Sequence, residues 1–160
     1  MFSRIFAWIF SLVLLVFPSL DKYSPALNVN QSVKSVISAI KTRDIDAIEA
    51  FMCKNIKDNT EDLREEIGKL IDAIEGNITR TSSESSTDTR MSSGGKTIEL
   101  AISVSNISTS SETYQLNIRW EVYNNYAFEE RGIRYVELFA VTDNEYELLA
   151  EIRATGGSFG

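Results

Sequence analysis

Between Thr113 and Tyr123, apolar and polar residues alternate without a break. Tyr114, Leu116, Ile118, Trp120 and Val122 stand between Thr113, Gln115, Asn117, Arg119 and Glu121. Successive side chains of a strand point to opposite faces, so this stretch predicts a long strand with one face in a core and one in water. Ile98, Leu100, Ile102 and Val104 repeat the pattern against Thr97, Glu99, Ala101 and Ser103, with the larger apolar set expected on the core side. The intervening 108–112 is small and polar, as a hairpin loop should be, and folds the two strands of 96–123 back on each other.

Upstream the period changes. Val29, Val33, Val36, Ile37 and Ile40 form one stripe of a 3.6-residue helix running to about Lys41. Asp44 is a suitable N-cap for a short second helix that carries Ile45, Ile48, Phe51 and Met52 inward. Asn59 or Thr60 is expected to cap a third, whose apolar face is Leu63, Ile67, Leu70, Ile71 and Ile74. Glu61, Asp62, Glu65 and Glu66 fall in its early turns, where the helix dipole favours anions, and that placement accounts for the acidic cluster without a metal ion. Gly76 is expected to end this helix in the left-handed conformation.

Residues 77–95 are rich in Ser and Thr and almost devoid of apolar side chains. On composition 81–89 could be a linker; Thr propensity and a weak alternation favour an exposed polar edge strand, followed by a Gly94-Gly95 turn. After the hairpin comes a polar loop, 124–132, holding Tyr126 and Phe128. Residues 133–141 are apolar on both faces, with Ile133, Tyr135, Phe139 and Val141 on one and Val136, Leu138 and Ala140 on the other, which suits a strand inside a sheet. Asp143-Asn144 makes a short turn into a last strand in which Tyr146, Leu148, Ala150 and Ile152 alternate with Glu147, Leu149, Glu151 and Arg153. Helices followed by strands predict an α+β fold: three N-terminal helices packed on one face of an antiparallel sheet of about five strands.

Residues 1–26 stand apart from this pattern. Arg4 gives a short positive start, 5–17 a run of thirteen mostly apolar residues, and Ser24-Pro25-Ala26 the small residues of a cleavage site. The run is too short for a spanning helix and suits a signal peptide; an uncleaved N-terminal anchor is the other reading, and the only contact with a membrane that the sequence implies. Either places the domain outside the cytoplasm. The chain then divides into 1–26, a single domain at 27–153 and a Gly-rich tail at 154–160.

Charge and composition narrow the function. Sixteen basic against twenty-three acidic residues give a net charge of −7, with no clustered Lys/Arg stripe to follow a phosphate backbone, so nucleic acid is not an expected partner. The chain has no histidine and one cysteine, Cys53. That excludes an intramolecular disulfide, a thiolate metal site, His-ligated metals and both Ser-His-Asp and Cys-His catalysis. Nothing in the sequence implies a cofactor. Cys53 lies in the apolar run 48–53 and reads as a small buried residue. Asn30, Asn77 and Asn106 begin Asn-x-Ser/Thr triplets, which are glycan acceptors only in a source that glycosylates secreted proteins.

The helical half, the Gly76 break before a polar strand, the ETYQLNIRWEVYN strand and the loop into RGIRYVELF resemble domain-of-unknown-function family 5104. Its members are small extracytoplasmic proteins, mostly lipoproteins, of Gram-positive bacteria. The resemblance covers about 27–152 and implies a curved sheet of the cystatin- or nuclear-transport-factor-2-like cone type. It carries no catalytic signature, and this chain lacks the cysteine that would take a lipid near Ala26.

Tyr114, Trp120, Tyr135 and Glu137 are the candidate ligand-binding residues, as inward positions at the open end of such a sheet. Cone-fold enzymes run proton transfers with a carboxylate base and tyrosine or carboxylic-acid donors and need no histidine, so Glu137 is the residue on which an isomerase or hydrolase would depend. The plainer reading puts the aromatics in the core and pairs Glu137 with Arg119 or Arg134. No acid/base pair at a fixed spacing is apparent, which favours a non-catalytic binding or interaction module for a small ligand or protein, including a homodimer through the sheet face. The N-terminal reading predicts that the exported protein starts at Leu27; N-terminal sequencing of protein recovered outside the membrane checks it, and a chain still starting at Met1 is incompatible with cleavage.

Overall fold

The computed structural model describes residues 27–143 and 145–154; the 1–26 segment and the end of the tail lie outside them. Four helices come first: α1 (Val29–Thr42), α2 (Ile45–Ala50), α3 (Lys54–Asn59) and α4 (Leu63–Asp72). Five strands follow: β1 (Arg80–Ser93), β2 (Lys96–Ser108), β3 (Thr113–Asn124), β4 (Gly132–Thr142) and β5 (Glu145–Arg153), with a 3-10 turn at Phe128–Glu130. The strands pair in chain order as one antiparallel sheet, and the helices cover one of its faces. The fold is α+β, with the helices N-terminal to the sheet.

Local chemistry starts and stops the helices. The Asn28 carboxamide oxygen accepts from the Gln31 N–H (3.2 Å) and the Asp44 carboxylate from the Ala47 N–H (2.9 Å), so both short polar residues cap orphan donors. Arg43 turns left-handed between them (φ +56°) and ends α1. An additional helix, α3, precedes the expected third, which is α4. The N-cap of α4 is Asp62, at φ +51°, and neither Asn59 nor Thr60. Instead Asn59 closes α3, its Nδ2 donating to the Asn55 carbonyl (3.1 Å). The extra helix exists because the chain is pinned at Cys53, whose N–H donates to the Ile133 carbonyl (3.0 Å), and because Ile56 then buries in the core at 1% exposure.

The core joins Val33, Ile37, Ile48, Ile67 and Leu70 of the helices to Ile107, Tyr114, Leu116, Ile118, Trp120, Leu138 and Ile152 of the sheet. Cys53 is buried among them, as its apolar run suggests. β1 is the polar edge strand, and Gly94-Gly95 turns it into β2 with both glycines at positive φ.

Three assignments of faces differ from the alternation. In β2 the residues on the helix side are Ala101, Ser103, Ser105 and Ile107, each 5% exposed or less, and Ile98, Leu100, Ile102 and Val104 lie half-buried on the outer side. Register is the reason. Ala101 sits opposite Trp120 and Ser103 opposite Ile118, so small residues make room for the indole. In β4, Ile133 faces the core beside Trp120, while Tyr135 pairs with Arg119 outside; a bulge takes up the extra residue, Arg134. In β5, a bulge between Leu138 and Phe139 pairs Leu148 with Phe139 and Ala150 with Leu138. Ile152 is thereby buried, and Tyr146 stacks edge-on against Phe139 outside (centroids 6.3 Å apart).

Gly132 ties the two layers. Met52 bridges Ile133 as a short parallel strand, and the Ile133 N–H donates to the Phe51 carbonyl (2.7 Å). A Cβ at Gly132 would stand 2.4 Å from that oxygen, at φ +129°. Gly132→Ala is therefore expected to cost at least about 2 kcal/mol from left-handed strain and steric displacement together. Gly68, inside α4, has open space where its Cβ would be, so Gly68→Ala should add about 0.5–1 kcal/mol. Urea midpoints of the two variants against wild type check both signs; a neutral Gly132→Ala would contradict the close approach.

Candidate functional site

The four residues singled out from the sequence divide between the faces of the sheet. Tyr114 and Trp120 are fully buried on the helix side. The Tyr114 hydroxyl accepts from the Glu75 N–H and donates to the Glu112 carboxylate, both at 2.9 Å, and burial raises its pKa. Trp120 Nε1 donates to Ser103 Oγ at 2.7 Å, and its ring meets Phe51 edge-on. These two are core residues with satisfied polar atoms. Tyr135 and Glu137 lie on the outer face and do not share a site with them.

On that outer face the two do meet. Tyr135 Oη contacts the carboxylates of Glu137 (2.9 Å) and Glu151 (2.6 Å), and Glu137 sits directly opposite Glu151 across the β4–β5 pair. Arg153 approaches Glu151 from the edge at 3.4 Å. Neither Arg119 nor Arg134 is the partner of Glu137; Arg134 pairs elsewhere, with Glu121. Partial burial and the two carboxylate acceptors push the Tyr135 pKa well up, so its hydroxyl stays protonated. A phenol held that way donates a hydrogen bond; it supplies no phenolate base or nucleophile.

Around this polar hub the outer face is apolar in two places. The half-buried stripe Ile98, Leu100, Ile102 and Val104 runs along β2, and Phe139, Val141, Tyr146 and Leu148 cluster at the far side, with Tyr146 and Leu148 about half exposed. Cross-strand rows between them alternate in sign. One row reads Ile102–Arg119–Tyr135–Arg153 and the next Val104–Asn117–Glu137–Glu151.

A third feature escaped the alternation. Glu121, placed by pattern among the solvent-facing residues, is 2% exposed. Its carboxylate takes Arg134 Nη1 at 2.9 Å and Asn124 Nδ2 at 2.6 Å, while Asn124 Oδ1 accepts the N–H groups of Tyr126 and Ala127. The same loop sends Glu130 back to accept the Asn55 N–H at the start of α3 (3.0 Å). The signal in the sequence was the glycine before Ile133, which marks a close backbone approach opposite Glu121. This network is structural: each carboxylate has a donor, and it clamps the 124–131 loop to helix and sheet. Burial raises the Cys53 pKa as well, which keeps that thiol protonated and inert.

These features define a small α+β module with a polar hub between two apolar patches on the helix-free face of its sheet. The chain belongs to the family described as domain of unknown function (DUF5104), whose model matches residues 35–143, from α1 to the turn after β4. No curated protein matches it.

Burial raises the Glu121 pKa above the ordinary carboxylate value, against the opposing pull of Asn124 and Arg134. The folded state then holds a proton more tightly than the unfolded chain, so this residue's contribution is fully present below the unfolded pKa and is lost as pH rises through the folded one. The stability of wild type relative to Glu121→Gln should accordingly fall from pH 4 to neutrality. Urea unfolding of both proteins across that range measures it; a difference that is flat or rises with pH would refute the buried, raised carboxyl.

Proposed function

We propose that this protein is an extracytoplasmic, non-catalytic interaction module that associates with a second copy of itself through the helix-free face of its sheet. The carrying observation is the β2 stripe: Ile98, Leu100, Ile102 and Val104 face away from the helices and stay only partly covered. Monomers rarely leave a contiguous apolar face of more than a few hundred Å² uncovered. A second copy suits this face because the arginine row and the carboxylate row lie side by side. A two-fold axis sets the arginines of one copy against the carboxylates of the other, and closed two-fold dimers are the commonest assembly. Arg119 is exposed and forms no ion pair among the described residues, so it is available for that contact.

The cone-fold enzyme finds less support, because Glu137 is engaged by Tyr135 and the other two candidate residues, Tyr114 and Trp120, are buried on the opposite face. The placement outside the cytoplasm rests on the charge, length and small-residue pattern of 1–26. Sedimentation of the exported chain at tens of micromolar should give a dimer, and Ile102→Glu a monomer of unchanged helix and strand content, since a buried charge at a dimer face costs several kcal/mol. A wild-type chain that sediments as a strict monomer overturns the proposal.

A further inference from the structure

The helix-side face of β1 carries hydroxyls where a packed sheet would carry aliphatic side chains. Thr81, Ser83, Ser85 and Thr87 occupy its successive inward positions, opposite Ile107, Ser105, Ser103 and Ala101 of β2. Ser83 Oγ and Ser105 Oγ are 2.8 Å apart, and Ser103 Oγ holds the Trp120 indole N–H. Ser85 Oγ is closed off from water with no hydrogen-bond partner among the described residues. Such a wall gives α1 nothing apolar to pack on. Between the two a groove of about 490 Å³ remains open, lined by Asn30, Lys34, Ile37, Ser38 and Lys41 of α1 and by Thr81 and Ser83 of β1.

The charge in this groove runs against that of the chain. The protein carries a net −7, and many of its cations are committed: Arg43 to Asp72, Lys54 to Asp58, Arg64 to Asp46 and Glu49, Lys69 to Glu65 and Glu66. Lys34 and Lys41 are exposed and form no ion pair among the described residues. They stand on one flank of α1 two helical turns apart, about 10 Å along its axis.

We propose that this groove binds an acidic oligosaccharide. Two ammonium groups at that interval suit a chain that carries its charges one or two sugar rings apart, and the Ser, Thr and Asn wall offers donors and acceptors to ring hydroxyls. The volume lies within the usual range for ligand sites. Two lysines on an acidic body are too few to follow a nucleic-acid backbone, and no aromatic side chain lines the groove to stack a base. The site is on the helix side of the sheet and independent of the self-association face.

Isothermal titration of the full chain at physiological salt tests it, with tetragalacturonate as probe, maltotetraose as its neutral counterpart and tripolyphosphate as charge without hydroxyls. Tetragalacturonate should bind at least about tenfold more tightly than either control, and the double variant Lys34→Gln/Lys41→Gln should lose about tenfold in affinity for it. Both lysines are exposed, and an unchanged thermal melt establishes that the variant is folded. Absence of tetragalacturonate binding at millimolar concentration, or affinity untouched by the double variant, overturns the proposal. Tripolyphosphate binding as tightly as tetragalacturonate overturns the saccharide assignment.

Discussion

The hydrogen bond from Trp120 Nε1 to Ser103 Oγ fixes the pairing on which the sheet depends. The indole is fully buried, so its N–H needs an acceptor inside the protein; a buried donor left unpaired costs about 1–3 kcal/mol. Its ring also needs room, and across the β2–β3 pair it finds Ala101 directly opposite. A slip of one residue would bring Ile102 against the ring and remove the hydroxyl together. Satisfying this one side chain therefore turns the small residues of β2 inward and its isoleucines, leucine and valine outward. The partly covered outer stripe is a consequence of how the indole is accommodated.

A second seam joins the helices to the sheet immediately beside Trp120, where Ile133 and Gly132 pair with Trp120 and Glu121. Phe51, Met52 and Cys53 lie along the start of β4, which is possible because Gly132 presents no side chain to the Phe51 carbonyl. That contact leaves Glu121 opposite Gly132 and almost wholly buried, where Arg134 and Asn124 answer its charge. A buried carboxylate is no asset to stability in itself. Here it organises a loop: Asn124 orders the backbone of 126–127, and Glu130 returns to α3.

Elements were legible where the hydrophobic period is long. The β2–β3 hairpin and the stripe of α1 follow from alternation and from the 3.6-residue repeat, whereas the polar edge strand with its Gly94-Gly95 turn rests on Thr propensity and turn chemistry. Faces were not, because a bulge changes which side a residue takes without disturbing the alternation on either side of it. The shift at Arg119/Trp120 places Ile133 in the core and Tyr135 outside it, and the shift at Leu138/Phe139 does the same for Ile152 and Leu148. For β2, residue size misled: the pattern pointed the bulkier set inward, whereas Trp120 selected the smaller. This is also why Tyr114 and Trp120 could be grouped with Tyr135 and Glu137. All four are conspicuous side chains on neighbouring strands, and only cross-strand register tells that they belong to opposite faces.

The edges of the sheet complete the argument about how this molecule can meet another. A free edge strand invites a further strand unless its side chains oppose it. β1 carries Arg80, Glu84, Asp88 and Arg90 among serines and threonines, and a bulge between Thr87 and Thr89 breaks its register. β5 carries Glu145, Glu147, Glu151 and Arg153, and α4 packs against it. Charge and irregularity thus disfavour association edge to edge at both ends. The helix layer occupies the inner face except along the hydroxyl wall of β1. Among the described residues, the outer face combines exposed apolar side chains such as Tyr146 and Leu148 with rows of opposite charge, and it is there that a second protein finds both.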